Sequence, residues 1–148
     1  MIGSGTEIIN FIKTNGTNQN YEIRIKKLKR SKNANAYMWE LLQKLAEVYS
    51  TSKIDLYKKY VKEYGIFRTI TLNPEAVKTF EKIWGEKGIG WFTEILDMRK
   101  NEIEVIAYYG TSSYNTKQFY NIVQHIVDDC KEEGIETLTP KEIMEMGL

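Results

Sequence analysis

Cysteine, proline and long apolar runs are scarce in this chain of 148 residues. Its single cysteine, Cys130, has no partner for an intrachain disulfide, so a reducing cytoplasm is the expected compartment. No apolar run approaches the length of a membrane span, and the N-terminus lacks the basic and apolar segments of a secretory signal. With two prolines and no low-complexity tract, the sequence predicts one domain over residues 1–148. Residues 1–5 are interpreted as a flexible native start or an expression remnant and are left out of the fold prediction.

The net charge is only +1, yet the two halves of the chain differ in sign. Residues 1–72 carry a net charge of +7, and residues 73–148 carry −6. Six of the nine residues from Arg24 to Lys32 are basic. This asymmetry indicates a polyanionic or acidic partner on one side. Charge scattered over a folded surface would give the same totals, because sequence halves need not be spatial halves.

Hydrophobic periodicity predicts an α+β fold with the element order αβααβαββαα. A short helix capped by Thr6 leads to a strand at Tyr21–Ile25, and a long helix covers roughly residues 32–49. Two β-rich runs on either side of residues 99–102 indicate a hairpin. We therefore expect a small mixed or antiparallel sheet of about four strands, covered by helices.

Apolar stripes predict which helix faces form the core. In the long helix the stripe comprises Ala34, Met38, Leu41, Leu42, Leu45, Val48 and Tyr49. In the next helix, opened by a capping box at Ser52, it comprises Ile54, Tyr57, Val61 and Tyr64. A third helix, capped by Asn115 and Gln118, presents Phe119, Ile122, Ile126 and Cys130. Asn73-Pro74 starts a helix that extends to about residue 87, and Thr139 with Glu142 caps a last short one.

Evidence for catalysis is weak in this sequence. His125 precedes Asp128 and Asp129 at helical spacing and could share a metal with them, but a solvated, paired helix face is favoured. The acids around the hairpin are Glu94, Asp97, Glu102 and Glu104. A metal-dependent nuclease could use such acids, but they also suit a solvent-facing sheet edge. No phosphate-binding glycine loop, Ser/His/Asp set or zinc pattern is present, so we expect no catalytic residue, metal or cofactor.

The junction between the predicted first strand and the long helix has the composition of a nucleic-acid site. Helix N-termini favour anions, and basic side chains there strengthen the field for a phosphate backbone. Asn35 and Trp39 share one helix face, and aromatic rings beside basic groups suit base stacking of a single strand. Packing of Trp39 under the sheet is the competing interpretation. The candidate DNA-binding residues are Arg24, Lys26, Lys27, Lys29, Arg30, Ser31, Lys32, Asn33, Asn35, Tyr37 and Trp39.

The stretch "KRSKNANAYMWELLQKLAEV" resembles the signature of the phage NinB family, the lambda-type Orf recombination mediators. Arg30, Ser31, Asn35 and Trp39 stand at the spacing of that signature. The helix and strand predicted upstream also resemble the family. The later stretch "GTSSYNTKQF…CKEEGIETLTPKEI" is similar to the C-terminal part of related phage proteins.

The resemblance implies a non-catalytic homodimer with a basic cleft that binds single-stranded DNA. It also implies contact with the host single-strand binding protein and assistance to a recombinase or annealing protein, in the cytoplasm of a bacterium that carries the phage or prophage. The aromatic content of 12% favours a homodimer too, because aromatic residues are enriched at interfaces. A metal-dependent phage nuclease that uses the acids of residues 94–104 is the alternative, and an interaction protein with an acidic partner is the third hypothesis.

Overall fold

The computed structural model describes residues 32–148, which form five α-helices and a three-stranded antiparallel sheet. The helices are α1 (Lys32–Tyr49), α2 (Lys53–Tyr64), α3 (Val77–Gly85), α4 (Thr116–Glu132) and α5 (Pro140–Glu145). The strands are β1 (Phe67–Leu72), β2 (Phe92–Met98) and β3 (Ile103–Tyr108). The α+β class is confirmed. The predicted first helix and the strand at Tyr21–Ile25 lie outside the described residues, so a fourth strand stays a prediction.

The three strands follow the order β1-β3-β2, with both pairings antiparallel. β2 and β3 form a hairpin at the place that the sequence predicts, with Met98 opposite Ile103. A register shift between Ile95 and Asp97 interrupts the pairing, as a β-bulge does. Because β3 is central among the described strands, its alternate residues are the most completely buried part of the sheet.

Helices α1, α2 and α4 enclose the main hydrophobic core. Its largest fully buried side chains are Phe119, Met38, Leu41, Leu42, Leu45, Ile122, Ile126 and Val61. Caps fix where three of the surrounding helices begin. At α2 the Ser52 hydroxyl accepts a bond from the Asp55 N–H, which is one of the two bonds of the predicted capping box. Asn115 and Gln118 form a reciprocal capping box before α4, and Thr139 and Glu142 form one before α5, both as the sequence predicts.

The predicted core stripes are wrong only at the helix ends. Val48 and Tyr49 at the end of α1, Ile54 at the start of α2 and Tyr64 at its end are all exposed. The periodic pattern continues into these terminal turns, but the chain there is leaving the core for surface connections. The helix predicted to reach residue 87 likewise ends earlier, at Gly85, and it begins after a short 3₁₀ turn over Pro74–Ala76.

A second, smaller cluster lies between α3 and the sheet. Its buried members are Val77 from α3 with Ile103 and Val105 from β3, and Leu72 and Phe80 pack against them. Most of β1 and the far half of β2 are exposed. None of the helices among residues 32–148 is both long and apolar enough to cross a membrane.

Candidate functional site

A groove of about 440 Å³ opens where the N-terminal half of α1 meets two loops that join the sheet. One loop leads into β2 and the other follows β3. We call this the aromatic groove, and its lining residues are Asn35, Trp39, Tyr57, Lys87, Gly88, Ile89, Gly90, Trp91, Gly110, Thr111 and Ser112.

Asn35 and Trp39 enter the groove from α1. They are four residues apart, so they lie on the same helix face, as the sequence predicts. Trp39 is half-buried and packs against the main core, with its ring centroid 4.7 Å from that of Tyr57. The two sequence interpretations of Trp39 therefore both describe part of its environment. Its inner side packs against the core, and its outer side lines the groove.

Tyr57 ties one loop of the groove to helix α2. Its buried ring is fixed by two bonds to Thr111, whose hydroxyl lies 2.8 Å from the Tyr57 hydroxyl and whose backbone N–H donates to that hydroxyl at 3.0 Å. Buried hydroxyl groups with satisfied hydrogen bonds hold one geometry, because breaking them would leave a polar group without a partner. The loop at residues 110–112 is thus held in place by Tyr57 of α2.

Trp91 forms the opposite wall and is held by an aromatic cluster. Its ring lies edge-on to Trp84 at 5.2 Å and tilted against Tyr109 at 5.3 Å. Trp84 is itself anchored, because its indole N–H donates to the Tyr108 carbonyl at 2.8 Å. A Cβ atom at Gly110 would lie only 2.5 Å from Nε1 of Trp91, so this wall requires glycine at that position.

The groove combines positive charge with hydrogen-bond donors. The ammonium of Lys87 lies 5.4 Å from the centroid of Trp91 and 5.8 Å from that of Trp84, within the range of cation–π attraction. Within residues 32–148, the Lys87 ammonium and the indole N–H groups of Trp39 and Trp91 make no hydrogen bond or ion pair. None of the described residues that line the groove is acidic. The surface is therefore suited to an aromatic ligand that carries negative charge or acceptor oxygens.

Acidic side chains gather at the other end of α1. Tyr49 is partly covered, and this partial desolvation, followed by the nearby carboxylates of Asp129, Glu133 and Glu132, raises its pKa above the ordinary value. Tyr49 is fourteen residues beyond Asn35, which at 1.5 Å per residue places this acidic surface about 20 Å from the groove. Asp129, Glu132 and Glu133 belong to the half of the chain that carries the net charge of −6.

The predicted DNA-binding residues have different locations. Arg24, Lys26, Lys27, Lys29, Arg30 and Ser31 lie outside the described residues, and Lys32 is the first residue of α1. Asn33 is exposed, and Asn35 and Trp39 line the groove. Tyr37 belongs to the main core instead. Its hydroxyl accepts a bond from the Leu138 N–H at 2.9 Å, and burial raises its pKa, so its ring is not placed to stack on a ligand.

Sequence reasoning missed half of the groove. Lys87, Trp91 and the glycines near them come from the stretch "WGEKGIGW", residues 84–91, which the sequence interpretation did not single out. The available signal was two tryptophans separated by a glycine-rich turn beside a lysine, because a conformationally permissive segment between aromatic residues favours close approach to a ligand.

Two acids of the nuclease hypothesis, Glu94 and Asp97, are bonded to other side chains, and Asp97 lies opposite Glu104 in the sheet. Glu94 accepts bonds from the Lys62 ammonium at 2.5 Å and the Tyr108 hydroxyl at 3.3 Å, and Asp97 pairs with Arg99 at 3.1 Å. No three His, Cys, Asp or Glu side chains in the described region come together in a way that could hold a metal ion.

The predicted helical metal ligands also have other partners. The ring of His125 stacks on that of Tyr64 with centroids 3.7 Å apart and planes inclined by 8°. Asp129 accepts a hydrogen bond from the Tyr60 hydroxyl. These contacts serve the packing of α2 against α4.

Comparison with known proteins gives no match: no protein-family model, curated protein or solved structure is significantly similar to this chain.

Proposed function

We propose that this protein binds single-stranded DNA through the aromatic groove, without catalysing a reaction on it. The observation that carries the proposal is the convergence of Trp39 and Trp91 with the ammonium of Lys87, which forms no ion pair within residues 32–148. Trp39 and Asn35, which the sequence predicts as DNA-binding residues, both line this groove.

Base stacking explains why the ligand would be a single strand. The flat face of a base is available for stacking only when the base is unpaired, and each stacked base contributes about 1–3 kcal/mol. Every base has such a face, so we expect affinity with little sequence preference. A lysine beside the rings adds attraction for the phosphate that accompanies each base.

The basic residues before α1 would extend this surface. Arg24, Lys26, Lys27, Lys29 and Arg30 precede Lys32 in the chain, and α1 begins at Lys32 and carries Asn35 one turn later. Phosphate oxygens are stabilised at a helix N-terminus by its unpaired N–H groups, and neighbouring lysines add to that effect. We propose that this segment contacts phosphates while the groove contacts bases.

The wider role follows from the resemblance to the NinB family. On that basis we propose a phage recombination mediator in the bacterial cytoplasm, a homodimer that contacts the host single-strand binding protein and assists a recombinase or annealing protein. We further propose that residues 21–25 supply a fourth strand, which would pair with β1 or β2, the edge strands of the described sheet.

Fluorescence anisotropy over a salt series tests the groove. Trp39→Ala should weaken binding of a labelled oligonucleotide of about 25 bases by roughly tenfold, the effect of losing one stacked base, with little change in salt slope. Lys87→Ala should weaken binding and make the slope of log affinity against log salt less negative by about 0.7. Lys100→Ala is the matched control, because the hairpin turn lies about 20 Å along β2 from the groove.

The basic segment is tested by the double substitution of Lys29 and Arg30 with alanine. We expect weaker binding to all sequences alike and a salt slope less negative by on the order of one unit. Circular dichroism shows whether each variant keeps its fold. Trp39→Phe, which keeps an aromatic ring at that position, is the control for Trp39→Ala. Wild-type protein that binds no oligonucleotide at low salt would overturn the proposal. Metal-dependent cleavage that is lost on substitution of Asp97 or Glu104 would favour the nuclease instead.

A further inference from the structure

A second groove lies on the other side of the loop that carries Trp91. Its volume is about 730 Å³. We call it the lateral groove, and its lining residues are Ile54, Lys58, Glu81, Gly85, Gly88, Ile89, Trp91, Phe92 and Thr93. Gly88, Ile89 and Trp91 also line the aromatic groove, so the two grooves share one wall and are contiguous.

The lateral groove repeats the chemistry of the aromatic groove. The Lys58 ammonium lies 5.7 Å from the centroid of Phe92, as that of Lys87 lies near Trp91. Phe92 is held by stacking on Tyr108, with centroids 4.6 Å apart and planes inclined by 23°. In the described part of the chain Lys58 forms no salt bridge, whereas Lys62, one turn further along α2, is paired with Glu94.

The shared wall explains how one ligand could occupy both grooves. Trp91 and Phe92 are consecutive, and both line the lateral groove. Trp91 packs with Trp84 and Tyr109, while Phe92 packs with Tyr108. Ile89, which lines both grooves, is 52% exposed, and Ile54, which lines the lateral groove, is 41% exposed. A chain of flat groups joined by anionic links would meet aromatic and aliphatic side chains in both grooves, with Lys87 in one groove and Lys58 in the other.

We propose that the lateral groove is a second nucleotide subsite, so that one DNA strand passes from the aromatic groove across Ile89 and Trp91 to Phe92 and Lys58. This inference rests on the proposed function, and it states where the bound DNA strand continues beyond the aromatic groove. Charge attracts any anionic ligand less strongly here than in the aromatic groove, because Glu81 stands among the lining residues. The flat faces of Trp91 and Phe92 favour bases at both positions.

Dependence on oligonucleotide length tests the subsite. All three tryptophans of the chain lie in or beside the aromatic groove, so their intrinsic fluorescence reports its occupancy directly. Affinities for oligothymidylates of about 4, 8, 12 and 16 nucleotides cover the usual range of single-strand site sizes. For the wild type we expect affinity to rise with length until both grooves are filled.

The informative variant is Lys58→Glu, with Lys59→Glu as its matched control. Lys59 is the adjacent residue of α2 and borders a separate pocket with Tyr49, Thr51 and Asp55. We expect Lys58→Glu to keep near wild-type affinity for the shortest oligonucleotide and to lose about five- to tenfold for the longest, with a less negative salt slope. Lys59→Glu should shift all lengths by the same small factor.

Two outcomes for Lys58→Glu and one for a competitor would overturn the inference while leaving the proposed function intact. If Lys58→Glu follows the wild type at every length, or weakens short and long oligonucleotides equally, the lateral groove is not a subsite, although Trp39→Ala would still weaken binding. If polyglutamate of matched length displaces the long oligonucleotide at equal concentration, the groove binds acidic protein. If the wild type binds no length at all, the proposed function fails and the inference fails with it.

Discussion

The helical side of the molecule and the far end of its sheet differ in how completely they bury apolar surface. Phe119 and Val61 in the main core are fully inaccessible to solvent. Leu96 and Met98 at the far end of β2 are 55% and 69% exposed, and the cluster under α3 has only three buried members. The described part of the fold is therefore stabilised mainly by packing among α1, α2 and α4, and the sheet adds a thinner layer.

The aromatic groove lies where these two regions meet. Its helical side comes from α1 and α2, which the main core holds rigidly. Its other side comes from the loops that enter β2 and leave β3. A binding surface built across such a boundary has one firmly fixed wall and one wall whose position depends on a few contacts, among them the fit of Trp91 against Gly110.

The largest effect should follow from Phe119→Ala. This substitution empties a fully buried site in the main core, and such changes cost about 3–5 kcal/mol in the free energy of unfolding. Urea denaturation followed by circular dichroism measures the loss. Phe119→Leu, which keeps most of the volume, is the control and should cost distinctly less. A loss below roughly 1 kcal/mol for the alanine variant would show that the helical side is not the main source of stability.

Alkaline pH should weaken the same region. Burial raises the pKa of the Cys130 thiol from 9.0 to about 11 and that of the Tyr114 hydroxyl from 10.0 to about 12, and both groups lie in the main core. Below pH 9 both the folded and the unfolded chain keep these protons. As the pH rises from 9 to about 11, the unfolded chain releases the Cys130 proton while the folded chain retains it. Each group then lowers stability by about 1.4 kcal/mol per pH unit across its own window.

Urea midpoints at pH 8 and near pH 10.5 measure this loss. Cys130→Ala removes one of the two groups. The stability of this variant should therefore fall less steeply from pH 8 to 10.5 than that of the wild type, whatever its stability at pH 8. An equal fall for wild type and variant would assign the alkaline sensitivity to other groups, and the thiol would then have no part in it. The buried members of the cluster under α3 are Val77, Ile103 and Val105, none of which titrates.

A matched pair of valines compares the two hydrophobic regions directly. Val61 in the main core and Val105 under α3 are both fully buried. Removing two methyl groups costs about 1.5 kcal/mol in transfer free energy, and a cavity that the surroundings cannot fill adds to this. We expect Val61→Ala to cost about 2–3 kcal/mol and Val105→Ala to stay near 1.5, because the thinner layer can relax around the space. Equal costs would mean that the two regions are equally well packed.

Local signals explain how much of this structure the sequence could predict. The bounds of α1, the capping boxes at Asn115 and Thr139 and the hairpin depend on residues a few positions apart, and the structure agrees with each of them. The burial of Tyr37 could also be predicted from the sequence. It lies four residues before Leu41 on the core stripe, so periodicity favoured burial, although its neighbourhood of basic and aromatic residues suggested a DNA contact.

The second wall of the groove could not be predicted by such rules. It depends on the bonds between Tyr57 and Thr111, which are 54 residues apart, and on close packing of the segment around Gly90 against Gly110. Contacts at that sequence separation are set by the tertiary fold, and no spacing rule reports them. Half of the groove was therefore visible in the sequence as Asn35 and Trp39, and the other half required the structure.

The smallest effect on stability should come from Met98→Lys. Met98 is 69% exposed, so a charged side chain there should change the free energy of unfolding by no more than about 0.5 kcal/mol. Its cross-strand partner provides the contrast, because Ile103 is buried under α3 and Ile103→Lys would place a charge in an apolar cluster.

Met98→Lys also tests where a homodimer would form. If the proposed dimer buries the far end of β2, light scattering of Met98→Lys should return a monomer while its urea midpoint, measured at low concentration, stays that of the wild type. A dimer of unchanged mass would place any interface elsewhere and leave Leu96 and Met98 as surface residues. A large loss of stability in the monomer would contradict the contrast between the two regions, since it would show that this end of the sheet is packed as closely as the helical core.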